Sequence, residues 1–210
     1  MAGVLIIGAG GHAKVVADIL ICQSVNVAGF VDDDPALWQK QVLRLPVLGS
    51  IDSCMNYAPD GLVVGIGSNA VRRAIVERLG GQATSLWRTA IHPSAIVAKS
   101  AQVGPGTVIM AGAIVNPDSV IGSHAIINTS ATVDHDCSIG DYTHIAPGTT
   151  LGGGVRIGTG TIVGIGSVVM PGRTIGEWAT IGAGAVVVYD VPDRVVAKGV
   201  PARWETNTGE

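Results

Sequence analysis

Charge is sparse in this chain, and cysteine is sparser. Charged residues make up 14% of its 210 positions and the net charge is −3, with no Lys/Arg run or basic stripe. That excludes the electrostatic footprint of a nucleic-acid or anionic-membrane binder. Mean hydropathy is +0.45, a membrane-like value, yet no uninterrupted apolar stretch reaches the ~18 residues of a spanning helix. The opening MAGVLIIGAGGHAK lacks a basic leader and a cleavage site and reads as a strand and turn. Three cysteines (Cys22, Cys54, Cys137) are too few and too scattered for a disulfide framework or a metal knuckle. The expected setting is a reduced cytoplasm, and the length allows one or two domains.

Two rhythms divide what remains. Residues 1–88 alternate apolar runs with helical spacing: VLIIG (4–8), GGHAKVVADIL (10–20), VNVAGFVDDD (25–34), GLVVGIG (61–67), then SNAVRRAIVERLGG (68–81), a helix capped by Ser68 or Asn69. Strand–helix alternation implies a small parallel α/β sheet, half of a doubly wound domain. From Ile91 a step of six meets Ile, Val or Leu at seventeen consecutive positions, ending at Val187. A small residue lies two before most of these positions, as at Ala113, Ser119, Cys137 and Thr143, and Gly often follows. All five prolines of this region (Pro93, Pro105, Pro117, Pro147, Pro171) fall two residues after a ladder position. A fixed φ and a missing N–H belong at a corner rather than in a hydrogen-bonded ladder. So short a period describes a solenoid of short strands and corners, over 89–190, with a loop or tail at 191–210.

Ladder residues and the small residues two before them point inward, and the rest face outward. Cys137 is therefore core. In VDHDCSIGDYTHIAPG (133–148), His135 and His144 both project outward, half a coil apart if three units make one coil. The two rings then stand on opposite sides of the solenoid and share a site only if another copy supplies the partner. Only eight charged residues occur between 91 and 187, so much of this outer surface is expected to face protein in a homo-oligomer. An outward His beside a carboxylate has what a general base requires.

The hexad pattern resembles the hexapeptide-repeat acyltransferases. That resemblance implies a left-handed parallel β-helix of 18-residue coils and a homotrimer with sites between subunits. The motif N-x6-H-[DE]-C-x-I-G-x3-H, here Asn128, His135, Asp136 and His144, is similar to that of bacterial sugar acetyltransferases. The nearest kinds are nucleotide-4-amino-sugar N-acetyltransferases (UDP-4-amino-sugar and GDP-perosamine types) and sialic-acid O-acetyltransferases. The resemblance implies that His135 is the base and that Asp136 tunes it, although some members carry Glu there. It also implies that His144 and Asn128 shape the acetyl-CoA and sugar site. Acetyl-CoA is the implied cosubstrate, without a metal, and backbone N–H groups steady the oxyanion. Pantetheine would meet Gly153 of the turn 152–154 and Ala183 of the turn 182–184. Lys198 or Arg203, in KGVPAR, would meet the CoA phosphates.

GAGGHA (8–13) satisfies G-x-G-x-x-A between a strand and a helix, with Asp32 and Asp33 about 20 residues on. Fewer than 90 residues fit a mononucleotide phosphate or sugar at the helix N-terminus better than a dinucleotide. The resemblance assigns Gly8, Gly10, Gly11 and His12 to the pyrophosphate or sugar and Asp32 and Asp33 to the ribose or base. Asn69 and Arg73 of the GIGSN turn and helix would surround the nucleotide. Arg72 reads as solvated helix face, His124 as a solvated corner and His92 as the opening of the first coil. Alternative readings are sugar O-acetylation, a zinc prism enzyme using His124, His135 and His144, and a non-catalytic nucleotide-sugar sensor.

Overall fold

A computed structural model of the chain describes residues 3–205, so positions 206–210 of the C-terminal segment lie outside the described residues. The N-terminal part is a three-stranded parallel sheet with Val4–Ile7 in the centre, Val27–Val31 on one side and Gly61–Val64 on the other. Two helices flank it, α1 (Gly11–Cys22) and α2 (Asn69–Leu79), the latter capped by the Ser68 hydroxyl. Successive strand residues point to opposite faces. Val4 and Ile6 accordingly join the core under α1, and Leu5 and Ile7 the core under α2.

Every one of the seventeen hexad positions is the second residue of a two-residue strand, from Ala90–Ile91 to Val186–Val187. Strands 18 residues apart pair in parallel, as Val115 does with Val133 and Val133 with Leu151. The result is a three-sided prism whose buried ladder runs from Ile109 to Val187. The small inward residues serve a second purpose. Thr107, Ser119, Thr143, Thr149, Thr161 and Ser167 each donate a hydroxyl to the carbonyl 15 residues on. A buried hydroxyl is tolerated because it is bonded. After Val187 the spacing shortens, and Val196–Ala197 pairs with Thr180–Ile181 at a step of 16.

The three faces have different fates. One, which we term the docked face, contains strands 90–91, 108–109, 126–127, 144–145, 162–163, 180–181 and 196–197. Its outward residues Ala90, Val108 and Ile126, with Met110 beside them, are buried in one core with Ala13, Val16 and Leu20 of α1. The free face carries Ile96, Ile114, Thr132, Thr150, Val168 and Val186 outward, none of them charged. The third face carries Gln102, Val120, Ser138, Arg156 and Thr174 outward.

Corner geometry explains where side chains replace glycine. Three residues after a ladder position the backbone turns left-handed, and Gly fills that place at 106, 112, 148, 154, 160, 166, 172 and 184. Asp118, His124, Ser130, Asp136, Tyr142 and Trp178 occupy it with φ between 54° and 60°. A side chain in this conformation costs about 1 kcal/mol or more, so each of these positions calls for a compensating contact.

Candidate functional site

His135 stands at the edge between the free and third faces, in the corner column that also contains Pro117, Gly153 and Pro171. Its side chain is 61% exposed, and Nδ1 lies 2.7 Å from Asp136 Oδ2. Because a carboxylate only accepts, Nδ1 carries the proton and Nε2 keeps a free lone pair. The left-handed conformation of Asp136 is what turns its carboxylate back onto the ring. Asp134 fixes the same turn, since its Oδ1 accepts from the His135 backbone N–H (2.8 Å) and from Asn116 Nδ2 (3.0 Å). Asp136 first, and Asp134 after it, hold the His135 pKa above its ordinary 6.5. One coil on, Gly153 leaves room for the imidazole, because a Cβ there would lie 2.6 Å from Cε1 and 2.7 Å from Nε2.

A second histidine group lies on the docked face. His144 points out of the prism as expected, but the N-terminal domain leaves it half-buried. Asn128 Nδ2 donates to His144 Nε2 at 2.9 Å, and the amide is oriented by Thr129 N–H bonding Asn128 Oδ1 at 2.7 Å. The His144 proton therefore sits on Nδ1, toward the Gly67 carbonyl, although no acceptor meets Nδ1 at full hydrogen-bonding geometry. The His12 ring lies 6.3 Å away, centroid to centroid, and its Nε2 is buried without a partner. Burial and the Arg72 cation lower both imidazoles to about 4, so both are neutral at pH 7. His12 and the Asn128–His144 pair thus converge within one chain. His135 lies on the opposite edge of the prism, apart from them.

The glycine-rich turn has the predicted position. Gly8 has φ +94°, Gly10 caps α1 and Gly11 begins it, and open space surrounds Gly10, Gly11 and Gly67 where a Cβ would stand. Asp32 holds this turn, its Oδ2 accepting from Ala9 N–H at 2.8 Å and its Oδ1 from Asp34 N–H at 2.9 Å. Beside it runs an open groove of about 370 Å³, lined by Asp32, Asp33, Ile51, Ile66, Val71, Ala74, Ile75 and Arg78. Arg78 was not singled out from the sequence. Its signal was the i, i+3, i+4, i+7 series Val71, Ala74, Ile75, Arg78, a single helix stripe.

Three of the expected nucleotide-site residues have partners of their own, and two residues read as solvated are buried. Asp33 is engaged, bonding the Ile51 N–H and pairing with Arg78 at 2.6 Å. Arg73 is not in the groove: it pairs with Glu77 and lies over the Trp178 ring. Asn69 bonds the prism carbonyls of Gly160 and Thr161 and accepts from Arg72, so its side chain is a strut between domains. Arg72 is only 1% exposed, and His124 only 4%, with His124 wedged between Trp87 and Tyr142. Both were read as solvated. The α2 helix covers their corner, and Gly106 leaves space for the His124 ring.

At the far end of the prism, Lys198 and Arg203 pair through their backbones and line an opening of about 380 Å³ with Val196, Trp204 and Glu205. The Arg203 guanidinium lies over Tyr189, which continues the His135–Gly153–Pro171 column. Ala183 is exposed at a different corner, between the docked and free faces. His124, His135 and His144 occupy different sides of the prism and form no triad within the chain. Among the described residues one group has metal-ligand types, Asp18, Cys22 and His92, with ligand atoms within 4.8 Å of one another. The His92 Nδ1 already accepts the Ser94 N–H at 3.0 Å, which leaves the proton on Nε2 and no imidazole lone pair for an ion.

Residues 3–79 match the family described as PglD N-terminal domain, and residues 118–153 match the bacterial transferase hexapeptide (six repeats). A structure of a histidine variant of GDP-perosamine N-acetyltransferase from Caulobacter crescentus, in complex with CoA and GDP-perosamine, is 43% identical with a TM-score of 0.90, over 99% of this chain and 98% of that one. The acetyltransferase domain of PglB from Neisseria gonorrhoeae, in complex with acetyl coenzyme A, is 38% identical with a TM-score of 0.89, over 96% and 98%. UDP-N-acetylbacillosamine N-acetyltransferase of Bacillus subtilis is 43% identical over 115 residues, 53% of this chain. The chain spans about half the length of that curated relative (52%). The winding is that of the full-length structural relatives, a left-handed parallel β-helix.

Proposed function

This chain belongs to the hexapeptide-repeat nucleotide-amino-sugar N-acetyltransferases, and from that membership we propose that it transfers acetyl from acetyl-CoA to the C4 amine of a nucleotide-linked 4-amino-4,6-dideoxyhexose. The observation that carries the reading is His135 itself. Its Nδ1–H is held by Asp136, its Nε2 is free, and both stand at an exposed edge kept open by Gly153.

The amine attacks the thioester carbonyl, and His135 Nε2 takes the proton as the C–N bond forms. Collapse of the adduct breaks the C–S bond, and the proton passes to the departing CoA thiolate. Asp136 stabilises the imidazolium in between. Pantetheine runs along the corner column from His135 past Gly153 to Tyr189, three coil rises or roughly 14 Å. Lys198 and Arg203 meet the CoA phosphates at its end. The sugar nucleotide lies on the N-terminal part, its phosphates at Gly8–His12 on the start of α1 and its nucleoside in the groove between Asp32 and Arg78.

We further propose a homotrimer built on the uncharged free face. Turning that face inward in three copies sets the His135 edge of one beside the docked-face corner of the next, with its Asn128, His144 and Ala183. On this reading residues 1–88 hold the nucleotide sugar, 89–190 transfer acetyl and the described part of 191–210 closes the CoA end. Among the described residues no helix is long and apolar enough to cross a membrane, and dependence on acetyl-CoA favours work in the cytoplasm, supplying surface glycans.

The test is a panel of UDP- and GDP-linked 4-amino sugars with acetyl-CoA, read by free-thiol release and by mass gain of 42 Da on the sugar, the mass of one acetyl for one hydrogen. Transfer to a nucleotide amino sugar is expected. Transfer only to a sialic-acid hydroxyl, or binding without transfer, would replace the reading with one of its competitors.

A further inference from the structure

Arg72 is the largest fully buried side chain among the described residues, and none of the ion pairs among them includes it. Its guanidinium is satisfied by six acceptors instead. Nε donates to the His124 carbonyl (2.7 Å), Nη1 to Ile66 (3.0 Å) and Gly67 (3.2 Å), and Nη2 to Asn69 Oδ1 (2.9 Å), Tyr142 (2.8 Å) and Thr143 (3.5 Å). Three acceptors belong to the N-terminal domain and three to the prism corner. A buried cation without a counter-ion is expensive to maintain, and the planar fork of arginine suits several fixed carbonyls as lysine does not. The residues it joins are informative. Gly67 faces His144, and Tyr142 and Thr143 lead directly into His144.

Resting on the function proposed above, we infer that Arg72 is a positioning residue for that reaction. By clamping the Ile66–Gly67 turn to the Tyr142–Thr143 backbone, it sets the gap in which His12 and the Asn128–His144 pair meet the substrates. It acts through these residues and touches neither substrate. Arg72 is also the charge that faces all three imidazoles: His12 and His144 face it and each other, and His124 faces it together with Asp141 and the stacked Tyr142 ring.

The experiment compares R72M and R72K with the wild-type protein. Imidazole C–H signals are followed by NMR from pH 3.5 to 8, the range bracketing the ordinary histidine value, and KM and kcat are measured for both substrates. In R72M, His12 and His144 are expected to titrate at higher pH while His135 keeps its titration. KM for the amino sugar should rise at least about tenfold, and by more than kcat falls. R72K keeps the charge without the fork, so its buried imidazoles should stay low while the KM rise persists. The clamp is overturned if R72K restores the wild-type KM, or if R72M lowers the melting temperature without moving His12 and His144. Should R72M fail to fold, R72K and N69A decide, since N69A removes one acceptor and two bonds between domains. Unmoved KM values in both overturn the inference. If the wild-type protein transfers no acetyl, the function fails while the imidazole titrations still judge the clamp.

Discussion

At the free edge of the prism, His135 stands in solvent between two carboxylates. Under the N-terminal domain, His124 is buried and His12 and His144 are half-buried, all beside one arginine. The ring is the same in all four, and its surroundings send the titration in opposite directions, above 6.5 at the edge and to about 4 in the seam. The edge is arranged to accept a proton and the seam to remain neutral. An imidazole meant to work as a base needs a carboxylate on its far nitrogen and water or substrate at the near one. An imidazole meant to fix geometry or donate a hydrogen bond gains from burial.

The largest break in this comparison comes from H135N. Removing the base is expected to lower kcat by about 10³-fold with unchanged melting temperature and oligomeric state, since an exposed corner adds little to the core. Thiol-release kinetics check it, and a near-wild-type rate would remove His135 from the mechanism. Next is G153A, whose new methyl would collide with the His135 ring. Displacing the ring by even an ångström should cost roughly 10–100-fold in kcat while the buried imidazoles titrate as before. Equal loss from a substitution at Gly166, where nothing stands within 4 Å of a Cβ, would show the effect to be general strain.

A smaller effect separates the two groups by stability. The seam histidines are neutral when folded, so the unfolded chain binds more protons between pH 6.5 and about 4. Their contribution is complete above 6.5 and lost as pH falls through that window. Calorimetry should record a melting temperature falling by several degrees there. Asp33 and Asp134, lowered from 3.8 by Arg78 and by the His135 backbone respectively, lose their contributions only below that value, which separates the two. A melting temperature flat from pH 6.5 to 4.5 would contradict the buried, neutral assignment. The mildest change is D136N. With the principal cause of the raised His135 pKa gone, the acid limb of the kcat/KM profile should move down toward 6.5. A limb that stays put would leave Asp136 with orientation alone.

Much of this was open to reading before any fold was known. Seventeen apolar positions in step forecast seventeen strands, and prolines two residues further on forecast the corners. Cys137, in an inward slot, is core, its thiol donating to the Gly152 carbonyl. The adjacency of His135 and Asp136 brought imidazole and carboxylate together through local geometry. The misreadings share one cause. His124 breaks the glycine column of the corners, and Arg72 follows an ordinary helix pattern. Only the docking of the N-terminal domain on that corner buries them. A clue was available in the side chains placed where glycine is cheaper, beside the apolar outward residues Val108 and Ile126.

The sequence by itself determined the coil, its phase and the inward or outward sense of each prism residue, because a six-residue period is local and repeats the same backbone decision. Which outward residues meet water was decided by the tertiary structure alone. Asn69 bonds Gly160 across 91 residues and Arg72 bonds Thr143 across 71, and no local period carries information over such distances. Desolvation and the field of a buried cation arise only when those segments meet, and they hold three histidines neutral, whereas the raised pKa of His135 comes from its own neighbours in sequence.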